Sequence, residues 1–298
     1  MRACLDRLAK QENANLFDWE VVVVDNNCTD GTDKMIADIS RVANFKLRYL
    51  KEEKQGLNYA RNCGALASDG KYFVFIDDDI YVSPTWLTSM YAALERSDAD
   101  AVGGRIHLDP SLVLPAWIQP EMYGFLGYQD CGEVPFQMDG IKKYPFGGNM
   151  AFNRRVTDLI GLFNAELGRR GVGEKRTELF KGAETDYFHR LARSGGTIFY
   201  EPSAIVYHQI KPFQLTKRYF RTIHFNEGYQ RAQHDERAFE RTLLGIPYFL
   251  FSQTARSLAH YIGQVITQGP DLSFRQQMTV GHFLGMMAGY ARRQPLGE

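Results

Sequence analysis

Three consecutive carboxylates, Asp77-Asp78-Asp79, stand at the end of the hydrophobic run 72–76. Like charges this close repel, and burying them without a counter-charge is costly. The pattern therefore asks for something positive. Carboxylate oxygens are the hard ligands that suit Mg2+ or Mn2+, and few protein ligands are needed where a diphosphate completes the shell. The bland alternative is an acidic turn ahead of the helix that follows Ser83-Pro84. A second acidic pair, Glu184 and Asp186, lies in KGAETDYFHRLARSGG (181–196), where Tyr187, Phe188 and Leu191 have helical spacing. Acidic residues at a helix start are favoured by the macrodipole. In the functional alternative one of them is a general base, within hydrogen-bond reach of an attacking hydroxyl.

The elements that must carry these groups alternate. MRACLDRLAKQ reads as a helix. The four-valine run 21–24 reads as a strand buried on both faces, and it ends in Asp25-Asn26-Asn27. A turn rich in Thr and Asp can cap a helix over roughly 32–43. Residues 45–51 form the next strand, 56–68 a helix, and KYFVFI the strand that feeds the three aspartates. This order predicts an α/β fold with a doubly wound, mostly parallel sheet. Ligands of such sheets lie beyond the carboxyl ends of the strands. Asp25 and the aspartate triplet both occupy that place, so two acidic strand ends are expected to face one crevice.

The totals bound the alternatives. The chain has 298 residues, 44% hydrophobic and 23% charged, which describes an ordinary globular protein. The 35 basic and 35 acidic residues balance, so nucleic acid is not expected as a partner. Cys4, Cys28, Cys63 and Cys131 lie far apart with no metal-finger spacing, as expected of reduced thiols. No apolar run reaches the roughly 18 residues of a membrane span. The expected localisation is cytoplasmic.

Five stretches together carry a resemblance: VVVVDNNCTDGT, GLNYARNCGALASDGKYFVFIDDDIYVSPTWL, FGGNMAF, GAETDYFHRL and IFYEPSAIVYH. In this order and spacing, from about residue 4 to about residue 230, they resemble the family 2 glycosyltransferases. That resemblance implies the Rossmann-like GT-A fold, a nucleotide-sugar donor, a glycan or lipid-linked acceptor, and Mg2+ or Mn2+. It implies donor contacts for Asp25, which would recognise the base, and for Asn27, Arg61, Asp77 and Asp78. Asp79 would be the metal ligand, with Asp77 and His208 as further candidates. Gly148 and Asn149 would lie beneath the acceptor. Glu184 would be the catalytic base, with Asp186 in the same acidic motif. Ala183 stands where the family more often carries another carboxylate, a departure on the acceptor side.

Family members start with a strand, central in the sheet, that this sequence lacks, so a gap or a distorted pairing is expected where that strand belongs. A start placed too late, a trimmed chain and a natural loss of donor binding are the competing explanations. The expected organisation is a catalytic domain over 1–230 and a helical region over 231–298. Residues 243–267 and 275–293 read as amphipathic helices that lie on a membrane surface at the cytoplasmic face, or alternatively pack on the domain or form a dimer contact. Lys217, Arg218, Arg221 and His224 could meet phosphate or form a solvated helix face. Two rival readings share parts of the pattern: a sugar nucleotidyltransferase, and a non-catalytic binding protein on the same fold.

Overall fold

The computed structural model describes residues 1–171, 175, 178–180, 182–235 and 237–293. Helix α1 (Arg2–Leu8) buries Cys4, Leu5 and Leu8. The valine run forms β1 (Glu20–Asp25), which pairs in parallel with β2 (Lys46–Lys51) through the crossover helix α2 (Thr32–Ser40). Of the four valines only Val23 is fully buried. The expected burial on both faces is incomplete because, among the described residues, β1 has a ladder partner on one edge alone. A gap in pairing is expected where the missing strand belongs, and among the described residues β1 and β2 form a sheet of their own.

Helix α3 (Leu57–Ala67) leads into β3 (Tyr72–Phe75), and the aspartate triplet turns the chain into β4 (Ile80–Val82). After α4 (Trp86–Ser97) come β5 (Ala101–Leu108), β6 (Phe136–Met138), β7 (Met150–Asn153), α5 (Arg155–Ile160), α6 (Ala183–Arg193) and β8 (Ile198–His208). The strands run in the order β3-β7-β5-β8-β4, with β6 also on β8. The α/β class holds, but this sheet is mixed rather than mostly parallel. Only β5 and β8 pair in parallel, while β3–β7, β5–β7, β4–β8 and β6–β8 are antiparallel. Strands of three or four residues such as β4, β6 and β7 leave too short an apolar pattern to be counted from sequence.

Apolar side chains fill both faces. Leu5, Met90, Leu94, Val102 and Val206 belong to one cluster with α1 and α4. Phe73, Phe152, Phe163, Tyr187 and Leu191 belong to another beneath α6, where the Phe163 and Tyr187 rings stack at 4.1 Å. All four cysteines are free thiols.

The chain divides into two compact units. The first holds Met1–Leu112, Leu126–Gly168 and Gly182–Ile210, and with them every strand named above. The second holds Val113–Phe125, Arg169–Lys181 and Lys211–Glu298. Within the second, α7 (Lys217–Gln233) lies against α9 (Phe274–Arg292), and the hairpin of β9 (Thr242–Leu243) and β10 (Ile246–Pro247) precedes α8 (Tyr248–Leu272), which breaks at Gly269 before Pro270. Glycine sets the α7–α9 approach. A Cβ on Gly228 would overlap the His282 carbonyl, and one on Gly285 the Phe225 carbonyl. Among the described residues no helix is long and apolar enough to cross a membrane.

One buried amide governs the first unit. Asn149 has no exposed surface. Its Nδ2 donates to the carbonyls of Arg105 (2.9 Å) and Ala204 (2.8 Å), and its Oδ1 accepts from Trp86 Nε1 (2.8 Å). It fills the place where the β5–β8 register shifts between Gly104 and Arg105. Asn149→Ala orphans all three partners, so we expect it to cost about 3 kcal/mol or more in chemical denaturation. Unchanged stability would show that the junction re-forms without the amide.

Candidate active site

The acidic turn spreads its charges. The Ile80 N–H bonds to the Asp77 carbonyl at 3.2 Å, closing the turn. Asp78 points outward, its carbonyl accepting from the Met1 ammonium at 2.8 Å. The Asp77 carboxylate faces Gly148, whose Cβ would sit 3.7 Å from Oδ2. Asp79 turns towards β8, where His208 Nε2 lies 3.4 Å from Oδ1. The other ring nitrogen of His208, Nδ1, meets the Leu126 carbonyl at 2.7 Å, which fixes the ring. Burial alone would favour the neutral imidazole, but the Asp79 carboxylate and the Leu126 carbonyl raise the His208 pKa above its ordinary value.

Glu184 opens α6 opposite this turn. Its Oε1 lies 2.9 Å from Arg61 Nη2, and the Arg61 side chain is only 5% exposed. Gly147 lies directly beneath, since a Cβ there would overlap both groups. Asp186 is differently engaged. It pairs with Arg190 one turn on at 3.0 Å, and Arg190 also donates to the carbonyls of Ile160 and Leu162. Asp186 thus holds the arginine that ties α6 to the end of α5, while Glu184 faces the glycine pair.

At the other strand end, Asp25 is buried and doubly bonded. Its Oδ1 accepts from the Cys28 N–H and its Oδ2 from the Tyr49 hydroxyl, each at 2.7 Å. Burial would raise its pKa, yet these two donors hold it below the usual carboxylate range. Sharing that proton pushes the Tyr49 hydroxyl up to about 12. Asn27, with positive φ of 64°, donates to the Glu53 carbonyl at 2.7 Å. Its neighbour Asn26 donates to the carbonyls of Glu52 and Lys54 and accepts from the Gly56 N–H. The two asparagines clamp the loop that delivers α3, and with it Arg61.

The structure therefore brings Asp77, Gly148, Glu184 and Arg61 around one glycine pair, with Asp79 and His208 beside it. It turns the Asn149 side chain away from this point into the β5–β8 junction, so no acceptor contact comes from that amide. Two residues here escaped sequence reasoning. Asn58 is fully buried and donates to the carbonyls of Asn164 and Leu167. Asn62 exchanges two bonds with the backbone of Phe163. The segment NYARN (58–62) held the signal for both asparagines: a polar face on a helix that otherwise packs. Gly147 permits the Arg61–Glu184 pair.

A cavity of about 360 Å³ has Tyr128, Asp130, Lys142, Lys143, Tyr144 and Phe146 among its walls. The Tyr144 hydroxyl meets Thr185 Oγ1 at 2.8 Å, and Phe146 runs directly into Gly147. Asp130 is countered by Arg105 at 3.4 Å.

Among the described residues no three His, Cys, Asp or Glu side chains are grouped to hold a metal by themselves. The donors that do converge, Asp79 with His208, fit a divalent ion that takes the rest of its shell from a bound diphosphate.

Residues 1–160 match the family described as glycosyl transferase family 2. The chain belongs to that family. Similar relatives include the succinoglycan biosynthesis protein ExoM of Rhizobium meliloti, 26% identical over 68% of this chain and 62% of its own length. The glucosyl-dolichyl phosphate glucuronosyltransferase of Haloferax volcanii is also 26% identical, over 72% of this chain and 66% of its own. In each case the match spans less than two-thirds of the relative. Among solved structures, the mannosyltransferase PcManGT from Pyrobaculum calidifontis, in complex with GDP-Man and Mn2+, aligns with a TM-score of 0.57. It covers 96% of this chain and 81% of that one at 15% identity. Staphylococcus aureus TarS 1–349 with UDP-GlcNAc gives 0.51 at 15% identity, over 78% of this chain and 63% of that one. At these identities the likeness speaks to the fold, which is the GT-A type of the family.

Because its pKa is depressed in the fold, Asp25 contributes stability above the ordinary carboxylate pKa of about 4. That contribution is lost as pH falls through the lower folded value. Asp25→Asn is expected to lower Tm at pH 7 by about 2–4 °C and to flatten its decline below about pH 4. Parallel Tm–pH curves for the two proteins would contradict this.

Proposed function

We propose that this family member transfers a sugar from a nucleoside diphosphate sugar to a hydroxyl of a glycan or lipid-linked acceptor, with inversion at the anomeric carbon. One observation carries the reading. The acidic strand end and the base candidate meet at adjacent residues, with Asp77 against Gly148 and Glu184 against Gly147. Donor chemistry and proton acceptance thus converge on one dipeptide.

Asp25 and Asn27 lie at the end of β1 and would receive the nucleoside, with Asp77 directed at ribose and diphosphate, whereas the outward-facing Asp78 would meet a donor only at its rim. Asp79 and His208 would hold Mg2+ or Mn2+, which when bound supplies positive charge to the departing nucleoside diphosphate. Glu184 takes the proton of the acceptor hydroxyl as that oxygen forms its bond to the anomeric carbon and the bond to phosphate breaks. Bare backbone at Gly148 lets a sugar approach closely. The cavity beside Tyr144 and Phe146, with Lys142 and Lys143 on its wall, supports an acceptor that offers a sugar face to aromatic rings. Nucleotidyl transfer is less well supported, since it gives Glu184 no role. The retained carboxylates also weigh against a non-catalytic binding protein.

A thermal-shift titration with a panel of nucleoside diphosphates, with and without Mn2+, tests the donor half. One diphosphate should stabilise the wild type and Glu184→Gln only when Mn2+ is present, and Asp79→Ala not at all. With the matching nucleotide sugar, Glu184→Gln should lower turnover by about 100-fold or more with little change in donor affinity. Silence across the panel would remove the donor site, and intact turnover in Glu184→Gln would remove the base.

Residues 231–298 are proposed to act as a peripheral anchor. On α8 the apolar side chains Leu258, Ile262 and Ile266 are exposed at intervals of four, as are Leu243 and Leu244 in the hairpin before it. Such a face suits the interfacial region of a lipid bilayer. Flotation with vesicles containing anionic lipid should recover the wild type, and Leu258→Ser/Ile262→Ser/Ile266→Ser should stay at the bottom. Equal recovery of both would discard the anchor.

A further inference from the structure

The Arg61–Glu184 pair is built with more care than an active-site ion pair needs for neutrality. Arg61 Nη1 lies 3.5 Å from Asn58 Oδ1, and its guanidinium covers the Phe163 ring at 5.4 Å from the centroid. Both supports are themselves held. Asn58 bonds to two carbonyls of the loop after α5, and Asn62 bonds to both backbone groups of Phe163. The guanidinium is thus held by contacts on two sides, and its side chain is only 5% exposed. On its remaining side lies the backbone of Gly147, where any side chain would displace either Arg61 or Glu184.

We infer that Arg61 and Gly147 are positioning residues for Glu184, where the resemblance alone assigns Arg61 to the donor. This rests on Glu184 being the base. The need for such a clamp follows from the charge around it. Asp77 lies at the next residue along the turn, and a donor would add a diphosphate to the same crevice. Negative charge close to a carboxylate favours its protonated form, and a fixed guanidinium within 3 Å opposes that. Asp186, the other carboxylate on the first turn of α6, is already paired with Arg190. Arg61 therefore keeps Glu184 ionised, with Oε1 tied, before the acceptor arrives. Gly147 is the surface on which the pair lies, and its missing side chain is what allows contact at 2.9 Å.

The test needs no sugar. In the full chain labelled with 13Cδ-glutamate, the Glu184 signal is assigned by its loss in Glu184→Gln, and its titration is followed by NMR. Arg61→Gln should move the Glu184 midpoint to higher pH. Gly147→Ala should do the same although both charged residues remain, and Arg61→Lys should return the midpoint most of the way. A merely structural role for Arg61 predicts no such difference between lysine and glutamine. An unmoved midpoint in Arg61→Gln overturns the inference, as does an equal shift in Arg61→Lys. Should Arg61→Gln fail to fold, an unmoved midpoint in Gly147→Ala does so on its own. Turnover separates this from the base assignment. A shifted midpoint with an active Glu184→Gln leaves the clamp and removes the base. An unmoved midpoint with an inactive Glu184→Gln does the reverse.

Discussion

Most of the site's geometry hangs on a buried amide that takes no part in chemistry. Asn149 joins the shifted β5–β8 ladder to Trp86 of α4, and a buried polar group of this kind is tolerated only when its bonds are all made. Here they are. Asn149 is tied at three points, and the two residues that lead into it are Gly147 and Gly148. Glu184 and Arg61 rest on the first, and Asp77 faces the second. A structural requirement inside the sheet thus fixes the point at which the acidic turn and the start of α6 meet.

The second constraint is repulsion. Three adjacent carboxylates cannot share one environment, and the turn at the end of β3 sends each a different way. Asp78 goes outward, Asp77 towards the glycine pair, and Asp79 towards the imidazole on β8. This separation keeps Asp79 close to a group that can carry positive charge, while Glu184 has its own cation in Arg61. Each half of the site is balanced locally, which is how the carboxylates of Asp77, Asp79 and Glu184 can coexist around one glycine pair. The raised pKa of His208 belongs to the same balance. The Asp79 carboxylate favours a proton on that ring, in the position where a divalent cation would offset its charge more strongly.

Much of this was legible in the sequence, and what was not has a common cause. The aspartate triplet, the valine strand, the acidic start of α6 and the terminal histidine all announced themselves through local pattern. The α/β class followed from alternation. The mixed pairing did not, since β4, β6 and β7 are too short for periodicity to register. The resemblance placed Asn149 beneath the acceptor, and nothing local says that its amide is needed 44 and 55 residues away. Arg61 and Glu184 are 123 positions apart by their numbering, and only the closed fold reveals that they share one oxygen contact. Long-range polar satisfaction is invisible to a window of sequence, whereas hydrophobic periodicity and charge runs are not.

The open ladder beside β1 gives these contacts a further role. Asp25 stands on a two-stranded sheet that shares no backbone hydrogen bonds with the strand carrying Asp77. What ties the first to the second is side-chain packing: Cys4, Leu5 and Leu8 of α1 join Val23 and Ile36 to Ile80 and Trp86 in one cluster. Asn26 adds a polar link to the loop leading into α3. Packing of this kind is softer than a ladder, whose bonds fix register residue by residue. Asp77 and Glu184 are therefore set relative to each other by backbone geometry, whereas Asp25 is set relative to them by hydrophobic contact. Helix α3 then has two duties, since it covers β1 and also carries the arginine that holds Glu184. A change that loosens α3 reaches both ends of the crevice through that one helix.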